Sequence, residues 1–372
     1  FLIVCSEIIS PGTDYPIVFF VIYLSIRWFE LIGRGEKEVT PYALLCVFTV
    51  FMVSIKLSAG VMVLLTIMPA YRLIRDKKWK DILVYIISGF LLILPYFIRN
   101  VIISGWLIYP FAAIDLFNVD WKIDREGVLA DAREILVWAR GTMGEGSPDD
   151  SIFVWFDDWW SYITLPDHKY IIAAFIAFAC AIVRGVCLLT GSLLKRRMDP
   201  DKDEDKGSEA VRGYVYYEII ICLSLLFWMK SGPLVRYGFA FIVTMPLVFI
   251  ADILSSGVRD LKTGKHRALS LVKLAPAGLI AIIMLIPTID YIKWDIECLR
   301  YRNEYRYAIM QKDYPKVETG MTRIGSIDFY YPMEDGSQIF YEPMPAVLWR
   351  DVSHVKMRGN DIRDGFMSAD HP

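Results

Sequence analysis

Apolar runs long enough to cross a lipid bilayer recur along this chain and exclude most soluble folds. The clearest of them is Ile82–Ile103, which leads into the aromatic and proline-containing stretch Trp106–Phe111. A helix that spans the hydrocarbon core needs about 20 apolar residues, and this run supplies them. Over the 372 residues, 55% are hydrophobic and 14% aromatic, and the mean hydropathy is +0.40. The sequence therefore predicts an integral membrane protein.

We predict an all-α polytopic membrane bundle of about eight transmembrane helices, followed by a small α+β extracytoplasmic domain. The predicted spans are Tyr15–Ile32, Pro41–Ile55, Ala59–Ile74, Ile82–Ile103, Tyr170–Leu194, Tyr214–Met229, Tyr237–Leu254 and Ser270–Asp290. The second and third form either a tight hairpin, re-entrant or made of two short spans, or one long tilted helix. The predicted domains are residues 1–290, which include an outward loop at 104–169, and residues 291–372.

Two polar regions carry predicted elements of their own. In the outward loop, Asp124–Gly141 has the apolar spacing of an amphipathic helix. The acidic and aromatic stretch that follows contains Trp155, Trp159 and Trp160, which suit an aromatic belt at the membrane boundary or a sugar-stacking surface. In the C-terminal domain, Ser326–Tyr331 and Gln338–Tyr341 have strand-like composition.

The cysteines and histidines argue against a metal or disulfide framework. The six cysteines show no CxxC spacing and the four histidines are scattered. We predict no metal site and assign no cofactor, and we leave a divalent cation open. The net charge of −2 does not identify a partner, and we predict no nucleic-acid partner. Because the chain opens at Phe1 without a signal-peptide n-region, we expect that earlier helices precede it.

Lysines and arginines are distributed unequally between alternating loops, and this distribution predicts the orientation. One set of loops holds 17 of them, at Arg34, Lys37, Arg72, Arg75, Lys77, Lys78, Lys80, Lys195, Arg196, Arg197, Lys202, Lys206, Arg212, Arg259, Lys262, Lys265 and Arg267. The short turns of the other set hold Lys56, Lys230 and Arg236. We therefore place the first set in the cytoplasm, and the 104–169 loop and the C-terminal domain outside.

This topology collects a group of polar residues at outward helix ends, where an outward-opening cavity would have its rim. They are Asp14, Lys56, Arg99, Asn100, Asp115, Asp120, Lys230 and Arg236. An arginine as deep as Arg99 is costly unless it is paired, hydrated or bound to an anion. Either it snorkels to the surface, or it binds a head group or phosphate.

Four short motifs resemble those of GT-C-type glycosyltransferases, which are polytopic enzymes that take sugars from polyprenyl-phosphate carriers. Pro95-x-x-x-Arg99-Asn100 followed by Ser-Gly-x-Leu-x-Tyr-Pro is similar to their P-W-x-x-R-N and G-N-P-x-Y-P segment, although Trp106 replaces the usual Asn. The I-K-L-S turn at Lys56, the P-L-V-R-Y turn at Arg236 and the T-D-Y-P sequence at Asp14 resemble other motifs of that superfamily. The resemblance covers about residues 10–255, and we expect a bacterial branch of the superfamily.

The resemblance implies a sugar transfer at the outer face of the plasma (inner) membrane, as part of the cell envelope. The donor would be a polyprenyl-phosphate-linked sugar, and the acceptor (glycan, lipid or protein) stays open. Lys56, Arg99, Asn100, Lys230 and Arg236 would bind the carrier phosphate, where positive charge stabilises a growing negative one. Asp14, Asp115 and Asp120 are the candidate catalytic acids, since an acceptor hydroxyl needs a base.

Two other classes of function remain open. The same basic residues could line the path of a transporter or flippase for a lipid-linked or anionic substrate. Inverted internal repeats would favour that class, and the sequence shows none. The chain could also be a non-catalytic scaffold in the membrane that presents its C-terminal domain.

The topology can be tested by cysteine accessibility in a background without native cysteines. Cysteines introduced near Lys78, Lys202 and Lys262 should react with a membrane-impermeant maleimide only from the cytoplasmic side. Cysteines near Asp120 and Asp335 should react only from outside. If the positions at Lys202 and Asp335 were labelled from the same side, the eight-span arrangement would be wrong.

Overall fold

A computed structural model describes residues 12–142, 145–198, 206–262, 267–301, 316–334, 339 and 343–369. Its helices are α1 Asp14–Arg34, α2 Val39–Ile55, a 3-10 segment Leu57–Thr66, α3 Ile67–Arg75, α4 Trp79–Ser104, α5 Arg125–Ala139, α6 Ile152–Tyr162, α7 Leu165–Met198, α8 Lys206–Ser231, α9 Val235–Lys262 and α10 Arg267–Tyr301. The strands are β1 Thr319–Ile324, β2 Ile327–Pro332, β3 Val355–Met357 and β4 Phe366–Ser368.

The described residues contain seven helices that are long and apolar enough to cross a membrane. Val39–Ile55 is equally apolar but shorter. The prediction of a multi-pass helical membrane protein with a small C-terminal sheet region is therefore confirmed. An eighth crossing by α2 stays a prediction.

The predicted third span differs from a regular α-helix in its first half. Leu57–Thr66 is a 3-10 helix that continues into α3. A 3-10 helix rises about 2 Å per residue and an α-helix about 1.5 Å. The two pieces together therefore reach about 33 Å, which is enough to cross a hydrocarbon core of about 30 Å. The tighter winding gives this span a length that a 19-residue α-helix would not reach.

The chain divides into two compact units, Phe1–Pro95 with Glu134–Asn303, and Tyr96–Arg133 with Glu304–Pro372. This division joins part of the outward loop to the C-terminal residues, whereas the sequence suggested a boundary after residue 290. In the first unit, α9 packs against α1, α7, α8 and α10, and 61% of its span is buried. Its fully buried side chains include Phe241, Ile242 and Met245.

The aromatic stretch of α6 lies mostly inside the first unit rather than at its surface. Trp155 is 5% exposed and Trp159 is 1% exposed, so neither ring forms the boundary belt that the sequence suggested. Trp160 stacks on His168 with ring centroids 4.1 Å apart. The sequence pattern located an aromatic cluster, but burial assigns two of its rings to the core.

The second unit contains two short antiparallel sheets and a small apolar cluster. β1 pairs with β2 from Thr319↔Pro332 to Ile324↔Ile327, and β3 pairs with β4. The strand expected at Ser326–Tyr331 corresponds to β2, whereas Gln338–Tyr341 lies, apart from Ile339, outside the described residues. The apolar cluster has Trp106 at its centre, packed with Ala112 and Val128.

Trp106 is a structural residue rather than a head-group anchor. It is 1% exposed, and its indole Nε1 donates a hydrogen bond to the Ile123 carbonyl at 2.8 Å. Lys122 lies over its ring at 4.4 Å. The position where the similar motif usually has Asn is therefore filled here by a buried aromatic side chain.

Replacing Trp106 with Ala should destabilise the second unit by about 3–5 kcal/mol, because a large buried ring and its hydrogen bond are lost. Limited proteolysis between residues 104 and 133, followed against denaturant in detergent, would measure the change. Trp349→Ala is the matched control, since that ring is 65% exposed. Equal protease sensitivity of the two variants would contradict the assignment.

Candidate functional site

A partly buried ion pair joins two helix ends in the first unit. Asp14 lies in the first turn of α1, and Lys56 is both the C-cap of α2 and the residue before the 3-10 segment. The Lys56 ammonium contacts the Asp14 carboxylate, and the two side chains are only 13% and 22% exposed. Negative charge is favoured at a helix N-terminus and positive charge at a C-terminus, so each residue suits its end.

The turn between α8 and α9 is fixed by two tryptophans. The Trp159 indole donates to the Pro233 carbonyl at 2.7 Å, and the Trp228 indole donates to the Leu234 carbonyl at 2.9 Å. Gly238 approaches the Trp228 ring so closely that a Cβ at this position would overlap it. These contacts hold the start of α9, and with it Arg236 and Tyr237, in one position.

The Tyr237 ring brings the two predicted cations to one site. Lys56 Nζ lies 4.5 Å from the ring centroid, and the Arg236 guanidinium lies 5.2 Å from the same centroid. Arg236 Nη2 also donates to the Tyr237 hydroxyl at 3.5 Å. Cations over an aromatic face are attracted by its quadrupole. The aromatic ring therefore supports two positive charges that would otherwise repel each other.

The two cations influence each other electrostatically. Burial, and then the positive charge of Arg236, lower the pKa of Lys56 from 10.5 to about 8. The Asp14 carboxylate acts in the opposite direction, since an adjacent negative charge favours the ammonium form. Lys56 is thus a lysine whose charge responds to its neighbours near neutral pH.

Lys56, Asp14 and Arg236 together carry one net positive charge when all three are ionised. Arg236 is exposed at the second position of α9, where the helix dipole disfavours a cation and favours an anion. Arginine can bind phosphate through two hydrogen bonds, and lysine acts as a point charge. We refer to Asp14, Lys56, Arg236 and Tyr237 as the Lys56–Arg236 site. Its charges fit a singly charged anion.

The remaining residues predicted to bind phosphate are Lys230, Arg99 and Asn100. Lys230 is exposed in the last turn of α8. Arg99 and Asn100 belong to the second unit. Arg99 is exposed, whereas Asn100 is 8% exposed and its Nδ2 donates to the Leu107 carbonyl at 3.3 Å. The convergence of Arg99 on the same phosphate as Lys56 stays a prediction.

The two loop acids of the second unit are both engaged in contacts. The Asp115 carboxylate pairs with the Lys122 ammonium. The Asp120 carboxylate accepts two hydrogen bonds from Arg358, at 2.8 and 2.6 Å, and its carbonyl accepts the Ser368 amide at 2.9 Å. Asp120 therefore connects the loop to β4, which is a structural role.

Sequence reasoning missed two features of the first unit. It did not assign Tyr237 a role, although this ring follows Arg236 directly. It also assigned no role to Arg184, which contacts Asp252 directly and lies 3.5 Å from a Glu218 carboxylate oxygen. The sequence did contain a signal for the Arg184 contacts, because ionisable residues within apolar spans are expected to pair with one another.

Within the described ranges, no group of three or more His, Cys, Asp or Glu side chains could hold a metal ion.

The helices and the buried charges define a multi-pass membrane protein. The chain belongs to a family described as a domain of unknown function, DUF8201, whose match covers residues 1–243. That range includes every residue of the Lys56–Arg236 site. No curated protein and no solved structure matches the chain.

The electrostatics of the site predict how Lys56 titrates. After reductive ¹³C-methylation, the Lys56 signal should titrate near pH 8 in NMR spectra, well below the ordinary pKa of a lysine, 10.5. Arg236→Gln should raise the pKa of Lys56 because it removes a positive neighbour, and Asp14→Asn should lower it further because it removes a negative one. A Lys56 pKa at the ordinary lysine value, unchanged in Arg236→Gln, would contradict this picture.

Proposed function

We propose that this protein is a GT-C-like glycosyltransferase that binds the phosphate of a polyprenyl-phosphate-linked sugar at the Lys56–Arg236 site. The observation that carries the proposal is the placement of Lys56 and Arg236 on one tyrosine ring. The two residues are far apart in sequence, and each comes from a motif that resembles the superfamily. Their meeting at a shared anion-binding position is what a phosphate site requires.

The proposed reaction uses the charges of this site directly. The bond between the sugar's anomeric carbon and the phosphate oxygen breaks, and the acceptor's hydroxyl oxygen forms the new glycosidic bond. The leaving polyprenyl phosphate gains negative charge, which Lys56 and Arg236 stabilise. The hydroxyl proton passes to a carboxylate, and Asp14 is the carboxylate that contacts Lys56.

The proposal includes a location. The loops rich in lysine and arginine would face the cytoplasm, so the Lys56–Arg236 site and the C-terminal residues would face outward. The membrane would be the plasma membrane of a bacterium, and the acceptor would be a glycan, lipid or protein of the cell envelope.

A second candidate function is the transport or flipping of a lipid-linked or anionic substrate. The observation that favours it is the contact of Arg184 with Asp252 and Glu218 inside the membrane spans. Charged residues within spans often mark substrate or proton paths. A transporter would move a fluorescent polyprenyl-phosphate sugar across proteoliposomes, whereas the transferase would release polyprenyl phosphate only when an acceptor is present.

Arg236→Ala should weaken the binding of a short-chain polyprenyl phosphate by about 10- to 100-fold, since a charge-assisted hydrogen bond contributes about 1.5–3 kcal/mol. Native mass spectrometry or tryptophan fluorescence in nanodiscs would measure the affinity. Arg34→Ala is the matched control, because that arginine is exposed at the opposite end of α1 and pairs with Glu30. The uncharged polyprenol is the ligand control.

Equal affinity of the wild type for polyprenyl phosphate and for polyprenol would reject the phosphate site. A loss of affinity in Arg34→Ala as large as in Arg236→Ala would show only a general effect of charge.

Arg99→Lys separates two roles for Arg99. A loss of binding would indicate a bidentate contact with phosphate, and unchanged binding would indicate an arginine that snorkels to the surface.

A further inference from the structure

A second charged cluster joins α7, α8 and α9 in the first unit. On α8 and α9 its residues are several helical turns away from the turn that connects these two helices. Arg184 of α7 contacts the Asp252 carboxylate of α9, and its Nη1 lies 3.5 Å from Glu218 Oε1 of α8. Glu218 is 2% exposed and Asp252 is 1% exposed. We call these three residues the Arg184 trio. Each of them lies within a membrane-length apolar helix.

The charges of the Arg184 trio do not balance when all three residues are ionised. One guanidinium neutralises one carboxylate, and the direct contact assigns Asp252 to that role. The carboxyl group of Glu218 then remains buried at a longer distance, among apolar helices. An uncompensated carboxylate in such a place is strongly disfavoured, and two carboxylates that share one site do not both ionise readily.

We infer that the Arg184 trio is a proton-binding site, in which Glu218 holds one exchangeable proton while Asp252 remains the ionised partner of Arg184. The bound proton makes the cluster electrically neutral and lets α7, α8 and α9 pack together within the membrane. Loss of the proton leaves a buried negative charge and weakens the contact between these helices. The inference does not depend on the proposed transferase activity, because it uses none of the residues of the Lys56–Arg236 site.

Other titratable groups lie on the same helices and on the elements packed against them, including Cys180 and Cys187 on α7 and Arg212, Tyr214 and Tyr216 on α8. On α1, Glu30 is paired with Arg27 and Arg34. On α8, the Tyr217 hydroxyl bonds with Ser25, and Cys222 lies one turn from Glu218 with its thiol 3.8 Å from the Met245 sulfur. The 3-10 segment and the described stretch Leu274–Met284 of α10 carry no acid or base.

Infrared spectroscopy of the full chain in nanodiscs tests the inference directly. A protonated carboxyl group in an apolar site has a carbonyl stretch separate from that of a carboxylate, and hydrogen–deuterium exchange shifts it. The wild type should show this band at neutral pH and lose it on alkalinisation. Glu218→Gln should abolish the band, whereas the matched control Glu30→Gln should retain it.

Thermal unfolding gives a second measurement that needs no band assignment. A group that binds its proton more tightly in the folded state makes stability fall as pH rises. The wild-type unfolding temperature should therefore fall with alkalinisation more steeply than that of Glu218→Gln, whose amide has no proton to lose in this range. The pH dependence in Glu30→Gln should match the wild type.

Three results would overturn the inference. The first is a wild type without the band at neutral pH. The second is a band that survives in Glu218→Gln and disappears in Asp252→Asn, which would assign the proton to the other carboxyl. The third is a carboxylate spectrum at neutral pH together with stabilisation by sodium but not by choline, which would make the ligand an alkali cation.

Discussion

The constraint on which the rest of this structure depends is that a bilayer offers no hydrogen bonds to the groups inside it. A helix satisfies the hydrogen bonds of its own backbone, so irregular backbone is confined to the helix ends. The extended residue Lys56 follows α2, and the turn at residues 232–234 separates α8 from α9. These are the places where polar side chains and irregular backbone are tolerated. The Lys56–Arg236 site is formed by the meeting of two such interruptions.

Helix α9 connects this site with the Arg184 trio. Its first turn carries Arg236 and Tyr237, and its later turns carry Asp252. Between them the helix is the most buried of the candidate spans, and it packs on α1, α7, α8 and α10. Pro246 lies within α9 between the two clusters, at a position where a helix lacks one backbone hydrogen bond. Asp252 and Arg236 thus belong to one helix.

The positions of the spans could be predicted closely from the sequence, because hydrophobic length is a strong local signal. The prediction Tyr15–Ile32 corresponds to α1 at Asp14–Arg34, and Ile82–Ile103 corresponds to α4 at Trp79–Ser104. The 3-10 winding of Leu57–Thr66 could not be predicted, since its composition is as apolar as that of an α-helix. The segment packs against α2 and α8, and a single sequence does not show these contacts.

The site was predictable in part, and the missing parts have physical reasons. Lys56, Asp14 and Arg236 could be predicted because each is a polar residue at the end of an apolar run. Tyr237 was missed because an aromatic residue at a helix start is an ordinary feature. Trp155 and Trp159 are buried. The sequence could not predict this, because a tryptophan at the membrane boundary and a tryptophan in the core give the same sequence signal. Only the three-dimensional contacts separate a ring that faces lipid from one that supports a turn.

Charge balance explains why a phosphate diester suits the proposed reaction. Lys56 and Arg236 with Asp14 carry one net positive charge, and a polyprenyl-phosphate sugar carries one negative charge, so the complex is neutral. Cleavage leaves a phosphate monoester with a second negative charge, while the acceptor proton neutralises Asp14. The site would therefore stay neutral from donor to product without taking up another ion. Asp14, held against Lys56 from the start, would serve first as a counter-ion and then as the proton acceptor.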